Sequence, residues 1–369
     1  MRDIAEIDLN NPDVYQNKVW GDTDALISTF GENLDVPLDR SIGEIFLAST
    51  HPDGVSRFTD GRVLTDEINN EASVFGRTIG PNGVLPLLLK AIFANEPLSV
   101  QVHYKNKVEA WYTLTDGEML YGLTPLGEKT IRTRKGVENL KDLLQNATEI
   151  EALEPYFNRV KFKAGETYLI QAGVVHSLLR GSILEPQKNS NLTIRGGDWG
   201  RNKPNRPLFL DDFFAALYPQ AIEPQPIEPK IKIYRGDEKV AKNSEHACLV
   251  ATRDFALDRI TVRNGWRLIR TFLDRFLVVM VTSGRMEVTN GVVNVPMKKG
   301  QVFILGAVDN EWIFKGTGTV LITYVPHLKK GIIVPLKTSG YTYDKIIEIG
   351  GPILKENDVY IEMKELGYY

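Results

Sequence analysis

The sequence is poor in cysteine and in long apolar runs, and it carries little net charge. Its single cysteine, Cys248, excludes an intrachain disulfide and a cysteine-rich metal site, and it fits a reducing cytoplasm. No run of 18 apolar residues occurs, and residues 1–15 are acidic where a secretory signal would be basic and then apolar, so we expect neither a membrane span nor export. A net charge of −3 and a pI near 6.1 argue against nucleic acid as a partner.

The rest of the composition is typical of a globular protein large enough for two cores. Hydrophobic residues make up 43% and charged residues 25% of the 369 positions. The stretch IEPQPIEPK at 222–230 holds three prolines in nine residues, which the interior of a strand or helix would not accept. We therefore expect a first domain over 1–221, a linker over 222–230 and a second domain over 231–369.

Short alternating or apolar runs, separated by Gly, Asn and Asp, predict antiparallel β-structure along most of the chain. Two stretches with apolar residues at helical spacing, 137–157 and 207–219, predict helices inserted in or appended to the first half. The segment from 337 to 369 alternates apolar and charged residues, and it could pair with either half or with a second copy.

The two halves are expected to be distant copies of one architecture. A hairpin at 115–117 and a glycine-opened strand at 165–170 in the first half have counterparts at 282–285 and 300–305 in the second. The second half lacks histidines at the matching positions. We therefore expect one metal-binding half and one structural half.

Four polar side chains stand at a spacing that predicts a metal site. Gln101 and His103 are two residues apart in a strand-like run, so both can point into one cavity, and Glu109 can enter from the next strand. His176 follows a glycine turn and an apolar strand, which would bring it in from across a barrel. An isolated Gln-x-His would more simply line a barrel, but Glu109 and His176 together favour a metal. The remaining histidines have no partner at metal spacing in the sequence: His51, His246 and His327.

These residues lie in segments that resemble the cupin family. Gly165, Gly173 and His176 match its pattern Gly-x5-Pro-x-Gly-x2-His, with Gln171 in place of the proline. Within the cupins, the segments LLLKAIFANEPLSVQVH, Lys-Val-Glu at 107–109 and SILEPQKNSNLTIRGGDWGR resemble the type I mannose-6-phosphate isomerases. The resemblance extends over the predicted first domain.

The resemblance implies a mainly β fold of two cupin-like jelly-roll barrels, the second without metal ligands. It implies a small-molecule sugar phosphate as the partner and leaves a homodimer open. It also implies one Zn²⁺ per chain, although another divalent metal would suit the same donors. The implied metal ligands are Gln101, His103, Glu109 and His176. The implied catalytic residues are Arg195, Lys107 and Glu185, and the implied phosphate-binding residues are Ser99, Lys90 and Arg201.

The implied reaction interconverts mannose 6-phosphate and fructose 6-phosphate through a cis-enediol. A divalent metal would act as a Lewis acid, and no redox cofactor is required. Either Glu185 or Lys107 could be the base that moves the proton, since each needs a shifted pKa. The guanidinium groups of Arg195 and Arg201 suit a phosphate.

Departures from the family pattern leave other functions open. Only three residues, 104–106, separate His103 from Lys107, which predicts an open mouth, and Pro186 stands in the segment 185–188. The chain could therefore act on another sugar phosphate, or bind one without turnover. Iron-dependent oxygen chemistry is a third alternative, and the glutamine at 101 argues against it.

Individual residues also have simpler interpretations. Lys107 and Arg201 taken alone would be solvated charges, and Lys90 could be an edge-strand lysine whose ammonium reaches water. Glu185 could support a metal ligand rather than act on the substrate.

Overall fold

Antiparallel β-structure dominates the chain, which confirms the mainly β class predicted from the sequence. The computed structural model describes residues 4–31, 34–36, 40–76, 83–104, 107–201, 205–233, 244–263, 265–269, 275–307 and 311–369. Within these residues the strands form a ten-stranded and a nine-stranded sheet.

The first sheet comes from the first half of the chain. Its ten strands in the described residues are β2 (Tyr15–Asn17), β3 (Ile42–Ala48), β4 (Leu87–Ala94), β5 (Val100–Val102), β6 (Glu109–Thr113), β7 (Gly117–Leu123), β8 (Phe157–Phe162), β9 (Thr167–Ile170), β10 (His176–Lys188) and β11 (Ile194–Gly197). The second sheet consists of β1 (Ile4–Glu6), β12 (Lys230–Ile231), β13 (Glu245–Ala251), β14 (Ala256–Arg263), β15 (Trp266–Ile269), β16 (Leu277–Thr289), β17 (Asn294–Lys298), β18 (Val302–Leu305) and β19 (Glu311–Tyr324).

The interior strands of the first sheet are covered on both faces. β3 and β4 read as nearly continuous apolar runs, IGEIFLA and LLLKAIFA, and every residue in them is buried. β4 pairs with β10 on one side and with β3 on the other. The interpretation of Lys90 as an edge-strand lysine is therefore wrong, and its ammonium needs partners inside the protein.

The two sheets do not divide the chain at a single point. β1, at the start of the chain, pairs with β18 of the second sheet. One apolar cluster also joins both halves, since it contains Phe46 and Leu249. The proline-rich stretch lies against the first sheet, where Ile227 N donates to Thr167 O over 2.8 Å. The boundary at 222–230 stays a prediction.

Neither sheet closes into a barrel within the described residues. The path through the first sheet ends at β11 and β2, and the path through the second ends at β1 and β12. The coarse fold class is thus established, while the two cupin-like barrels stay a prediction.

The helices are short and lie mostly outside the sheets. The described α-helices are α1 (Thr23–Phe30), α2 (Leu64–Asn70), α3 (Ala72–Phe75), α4 (Pro125–Ile131), α5 (Arg134–Asn146), α6 (Leu210–Ala216), α7 (Val334–Thr338), α8 (Tyr343–Ile347) and α9 (Asp358–Glu365). In the described part of the chain, no helix has the length and apolar character needed to cross a membrane.

The two predicted helices exist but are shorter than their apolar patterns. α5 begins after Thr133, whose hydroxyl caps it by accepting from Gly136 N, and it buries Leu140 and Leu144 one turn apart. It ends at Asn146 because Ala147 is extended and leads the chain towards β8. α6 likewise covers only the middle of 207–219.

The two predicted hairpins are wrong. The strands before and after the turn at 115–117, β6 and β7, both pair with β10, and no ladder joins them in the described residues. Around 282–285 the chain does not turn, because β16 runs on through a bulge between Val281 and Ser283. Local turn residues therefore mark breaks in the strands without fixing their partners.

The C-terminal segment is helical rather than extended. α8 and α9 flank two 3₁₀ turns, Glu348–Gly350 and Leu354–Glu356. The fully buried Asn357 caps α9 by accepting from Tyr360 N, and its amide donates to Gly351 O over 2.8 Å. The segment between the helices contacts both halves of the chain, through Gln171 in the first and β13 in the second.

Candidate metal centre

The four predicted ligands lie together at one end of the first sheet. Gln101 is on β5 and is followed closely by His103, while Glu109 begins β6 and His176 begins β10. Gln101 is the ladder partner of His176 on one side and of Arg195 on the other. Residues directly opposite in a ladder project on the same face.

A bend in β10 lets this strand serve two parts of the site. The ladder with β7 shifts register just before Gly181, whose φ of 115° is readily adopted only by glycine. Before the bend, His176 faces Gln101. Beyond it, Glu185 faces Lys90 of β4.

His103, Glu109 and His176 form a compact group of possible metal ligands. All three are buried, and one ligand atom from each lies within 4.8 Å of the others. His103 Nε2 is 2.9 Å from Glu109 Oε2, and His176 Nε2 is 3.3 Å from Glu109 Oε1. The ring of Trp111 packs edge-on against His176, with ring centroids 5.5 Å apart. A carboxylate between two imidazoles is a donor set that zinc binds.

Several lone pairs of this group are not used in hydrogen bonds. His176 Nδ1 is 2.8 Å from Val174 O, so Nδ1 carries the proton and the lone pair of Nε2 faces Gln101 and Glu109. In the described residues neither ring nitrogen of His103, nor Oε1 of Glu109, has a hydrogen-bond partner. The 2.9 Å contact of His103 is thus close but not aligned as a hydrogen bond. Buried polar atoms without partners are costly, and one cation would satisfy them together.

Gln101 can complete the group as a fourth ligand. Its Nε2 is 3.1 Å from His176 Nε2, and its Oε1 accepts from the Ser99 hydroxyl over 3.2 Å. The two ends of an amide have the same shape, so the reverse orientation would direct Oε1 at the imidazole nitrogen. Two acceptors would then face each other, an arrangement that a cation between them would stabilise.

Lys107 lies beside the cluster rather than in solvent. Its Nζ is 3.3 Å from Glu109 Oε2 and 3.3 Å from Leu192 O, and only 6% of the residue is exposed. The interpretation of Lys107 as a solvated charge is therefore wrong. The predicted open mouth depends on Lys105 and Asn106, which lie outside the described residues.

Lys90 links two buried carboxylates behind the cluster. Its Nζ is 2.9 Å from Glu185 Oε2 and 3.5 Å from Glu44 Oε2. The first contact is an ion pair rather than an aligned hydrogen bond, since Oε2 has no hydrogen-bond partner in the described residues. Trp111 Nε1 donates to the other oxygen of Glu185 over 2.9 Å, and Lys18 contacts Glu44 at 3.1 Å.

Burial and neighbouring charges shift the acids in opposite directions. Burial would raise the pKa of Glu109, but His103 and Lys107 hold that pKa well below its usual range. Burial raises the pKa of Glu185, helped by the charge of Glu109 and opposed by Lys90. Burial lowers the pKa of His103 to about 4, so the imidazole is neutral at pH 7, the form that binds a metal.

Three arginines surround one carboxylate at the edge of the site. Arg206 donates two hydrogen bonds to Asp198, of 2.7 and 2.9 Å, and Arg201 donates a third over 3.1 Å. Arg195 donates only to a backbone carbonyl over 3.1 Å, and its Nε has no hydrogen-bond partner in the described part of the chain. Burial and the nearby charge of Arg206 lower the pKa of Arg195. An anion at this edge would relieve that excess of positive charge.

Known proteins that resemble the chain point to one family. Residues 10–124 match the family model described as phosphomannose isomerase type I, catalytic domain. The mannose-6-phosphate isomerase of Streptococcus mutans is 26% identical over 329 residues, which cover 83% of this chain and 95% of that protein. The mannose-6-phosphate isomerase ManA of Bacillus subtilis is 25% identical over 332 residues, with 85% and 97% covered. The family model and the curated relatives thus agree that this chain is similar to the type I phosphomannose isomerases.

Solved phosphomannose isomerases share the fold. The mannose 6-phosphate isomerase of Bacillus subtilis has a TM-score of 0.71 at 24% identity, with 87% of this chain and 99% of that chain covered. A mannose 6-phosphate isomerase solved with bound zinc and yttrium has a TM-score of 0.69 at 17% identity, with 88% of this chain and 99% of that chain covered.

Two charged residues beside the candidate centre were not among the predicted site residues. Glu44 belongs to the Lys90 ion pairs. In the sequence it is the only charged residue in the apolar run IGEIFLA, and it lies in the stretch IGEIFLASTHPDGVS, which resembles the Gly-Glu…His-Pro-x-Gly segment of the family. Arg206 forms an ion pair with Asp198, but it lies in a polar stretch of the sequence, where an arginine gives no indication of a special role.

Proposed function

We propose that this protein is a metal-dependent aldose–ketose isomerase that interconverts mannose 6-phosphate and fructose 6-phosphate through a cis-enediol. One observation carries the proposal. The buried group of His103, Glu109 and His176 has ligand atoms within 4.8 Å, and its His176 lies on the same strand, β10, as Glu185 of the buried ion pair with Lys90. The names of the relatives described above state the same activity.

The proposed metal is one zinc ion per chain, held by Gln101, His103, Glu109 and His176. The buried atoms without hydrogen bonds support this assignment, as does the mannose 6-phosphate isomerase structure that contains zinc. When bound, a divalent metal supplies a Lewis acid that polarises the sugar carbonyl. Another divalent ion would suit the same nitrogen and oxygen donors.

We assign the transfer of the proton from C2 to C1 to Glu185. A carboxylate that takes up and returns a proton works best with a pKa raised towards neutrality, and burial raises the pKa of Glu185. Lys90 and Trp111 hold its two oxygens, which fixes the carboxylate in place. Lys107 is the other candidate. Its contact with Glu109 suits it better to stabilising negative charge on the sugar oxygens.

Arg195 is the proposed anchor for an anionic group of the substrate. It lies opposite Gln101 in the ladder, and its guanidinium has donors left over. Existing contacts with protein groups already use donors of Ser99, Lys90 and Arg201. Each of these residues would bind a phosphate only through an N–H or O–H group that the existing contacts leave available. An ammonium has three hydrogens, and Lys90 has two carboxylate contacts.

The proposed architecture assigns catalysis to the first half. We propose a cupin-like catalytic domain over 1–221, a linker over 222–230 and a second cupin-like domain without metal ligands over 231–369. In the described residues, one group of His, Cys, Asp and Glu side chains lies at metal-binding distance, and it belongs to the first half.

The test compares two buried histidines in a coupled assay for fructose 6-phosphate. His176→Asn removes a proposed ligand, and the matched control His246→Asn removes a histidine of the second half that also contacts a carboxylate, at 2.7 Å. Chelated and zinc-loaded samples of each protein are assayed. We expect turnover to require zinc, to disappear in His176→Asn and to persist in His246→Asn.

Other results would redirect the proposal. A protein that binds zinc but leaves mannose 6-phosphate unchanged would be an isomerase of another sugar phosphate or a binding protein. Full activity after chelation would remove the metal from the reaction. Replacing Glu185 by Gln and Lys107 by Met should distinguish the base, because only loss of the base abolishes exchange of the C2 hydrogen with solvent deuterium.

A further inference from the structure

One turn contacts both histidines of the candidate metal centre. This turn, Gln171–Val174, joins β9 to β10 and is closed by the bond from Val174 N to Gln171 O, of 3.1 Å. Gly173 N donates to His103 O over 3.1 Å, and Val174 O lies 2.8 Å from His176 Nδ1. The position of the turn therefore affects the orientation of both imidazoles.

The turn is tied to the C-terminal segment by the side chain of Gln171. Ile353 N donates to its Oε1 over 2.8 Å, and its Nε2 donates to Ile353 O over 3.0 Å and to Gly350 O over 3.5 Å. Gln171 is 2% exposed, so these bonds do not compete with water. The side chain of Ile353 adds to the contact, because it lies in one buried apolar cluster with Ile170 and Val174.

The C-terminal segment is held in turn by the second half of the chain. Glu348 contacts the fully buried Lys230 at 2.8 Å, and Arg253 contacts Glu365 of α9 at 2.9 Å. Gly351 packs directly on Gln171, since a Cβ added there would lie 2.8 Å from Gln171 Oε1. A continuous set of contacts thus runs from the second half, through the segment 350–353, to the turn that orients the two histidines.

We propose that Gln171 is a positioning residue of the metal centre, through which the C-terminal segment and the second half hold the turn 171–174 and its two histidines in place. The proposal rests on the proposed function only in taking His103 and His176 as metal ligands. It gives the half that has no candidate ligands a part in metal binding. It also explains the glutamine at a position where the cupin pattern has a proline, because a proline could make none of these three hydrogen bonds.

Zinc affinity and the absorption spectrum of the cobalt-substituted protein test this proposal on the full chain. Gln171→Met keeps the length of the side chain and removes its hydrogen bonds, while Gly351→Ala presses on the same amide from the C-terminal side. Gln301→Met is the matched control, since Gln301 also bridges distant segments, to Glu6 at 2.7 Å and to Lys298, but in the second sheet. Zinc affinity is measured by competition with a coloured chelator, well below the unfolding temperature of each variant.

We expect Gln171→Met and Gly351→Ala each to weaken zinc binding about tenfold, the low end of the effect of losing a residue that supports a ligand. The cobalt spectrum should shift in both, and the effects of the two changes should be less than additive because they disrupt one contact. Gln301→Met should keep the original affinity and spectrum. Unchanged affinity and spectrum in whichever of the two variants folds would overturn the proposal.

The outcome is separable from that of the proposed function. If the protein binds zinc but does not isomerise mannose 6-phosphate, the proposed function fails while the predicted changes in affinity and spectrum can still be observed. If the unaltered protein binds neither zinc nor cobalt, both proposals fall.

Discussion

Removing the ammonium of Lys90 should leave the buried carboxylate of Glu185 without its ion-pair partner. Lys90 is 5% exposed and lies between Glu185, at 2.9 Å, and Glu44, at 3.5 Å. In Lys90→Met, Glu44 keeps Lys18 at 3.1 Å, but Glu185 keeps only the hydrogen bond from Trp111. Breaking a buried ion pair on one side costs about 3–5 kcal/mol, so we expect the free energy of unfolding at pH 7 to fall by that amount.

The loss should depend on pH in a predictable direction. Burial already raises the pKa of Glu185, and removal of Lys90 raises it further above the unfolded value of 4.5. A carboxyl group with a raised folded pKa binds its proton more tightly in the folded state, so stability is lost as the pH rises through that pKa and recovered as it falls. Lys90→Met should therefore regain stability, relative to the unaltered protein, on acidification from pH 7 towards pH 5.

Urea unfolding of the metal-free protein at both pH values measures these effects. Lys18→Met is the matched control, because Lys18 contacts the same Glu44 but its side chain is 27% exposed, and it should cost about 1 kcal/mol or less. The double variant Lys90→Met/Glu185→Gln should recover much of the loss, since no unpaired charge is left. A single variant within 1 kcal/mol of the unaltered protein, or a double variant less stable than the single one, would refute the reasoning.

Three further outcomes are expected from other parts of the chain. Burial lowers the pKa of His103 from 6.5 to about 4, so the metal-free protein should lose up to about 3 kcal/mol of stability as the pH falls from 6.5 to 4. Urea unfolding at a series of pH values measures this loss, and His103→Gln should make the stability depend less on pH over that range. Asp258→Asn removes the carboxylate that lies 2.7 Å from the buried Lys232, and it should cost about 3 kcal/mol in urea unfolding. The folded variant should still take up zinc, and a folded variant that takes up none would contradict a ligand set confined to the first half. Gly173 has a φ of 79°, and a Cβ added to it would lie 2.5 Å from Ala216 O, so Gly173→Ala should lower stability by more than about 1 kcal/mol and weaken zinc binding. Gly331→Ala places its Cβ in open space and should change neither stability nor zinc binding.

The group of candidate ligands was within reach of the sequence because most of its members obey short-range geometry. Gln101 and His103 are two residues apart at the end of a strand, and the glycine spacing before His176 marks the turn that returns the chain to the site. Metal-type residues are also rare enough in a strand for their coincidence to carry information. The mainly β class followed in the same way from the period of the apolar residues.

The rest of the site depends on contacts between segments far apart in the chain. Glu44 and Lys90 meet because β3 and β4 are neighbours in the sheet, which no local pattern reveals. The hairpin predicted at 115–117 failed for the same reason, since β10 pairs with both strands that flank the turn. The alternating C-terminal segment gave no sign that Gln171, some 180 residues earlier, would bind its backbone.

The most direct test of the central claim is a zinc titration in which bound metal and isomerase activity are measured in the same samples of chelated protein. The account predicts that conversion of mannose 6-phosphate rises in proportion to bound zinc and levels off at one ion per chain, while Glu109→Gln shows neither tight binding nor activity. Activity that is complete before any zinc is bound, or that Glu109→Gln retains in full, would contradict it.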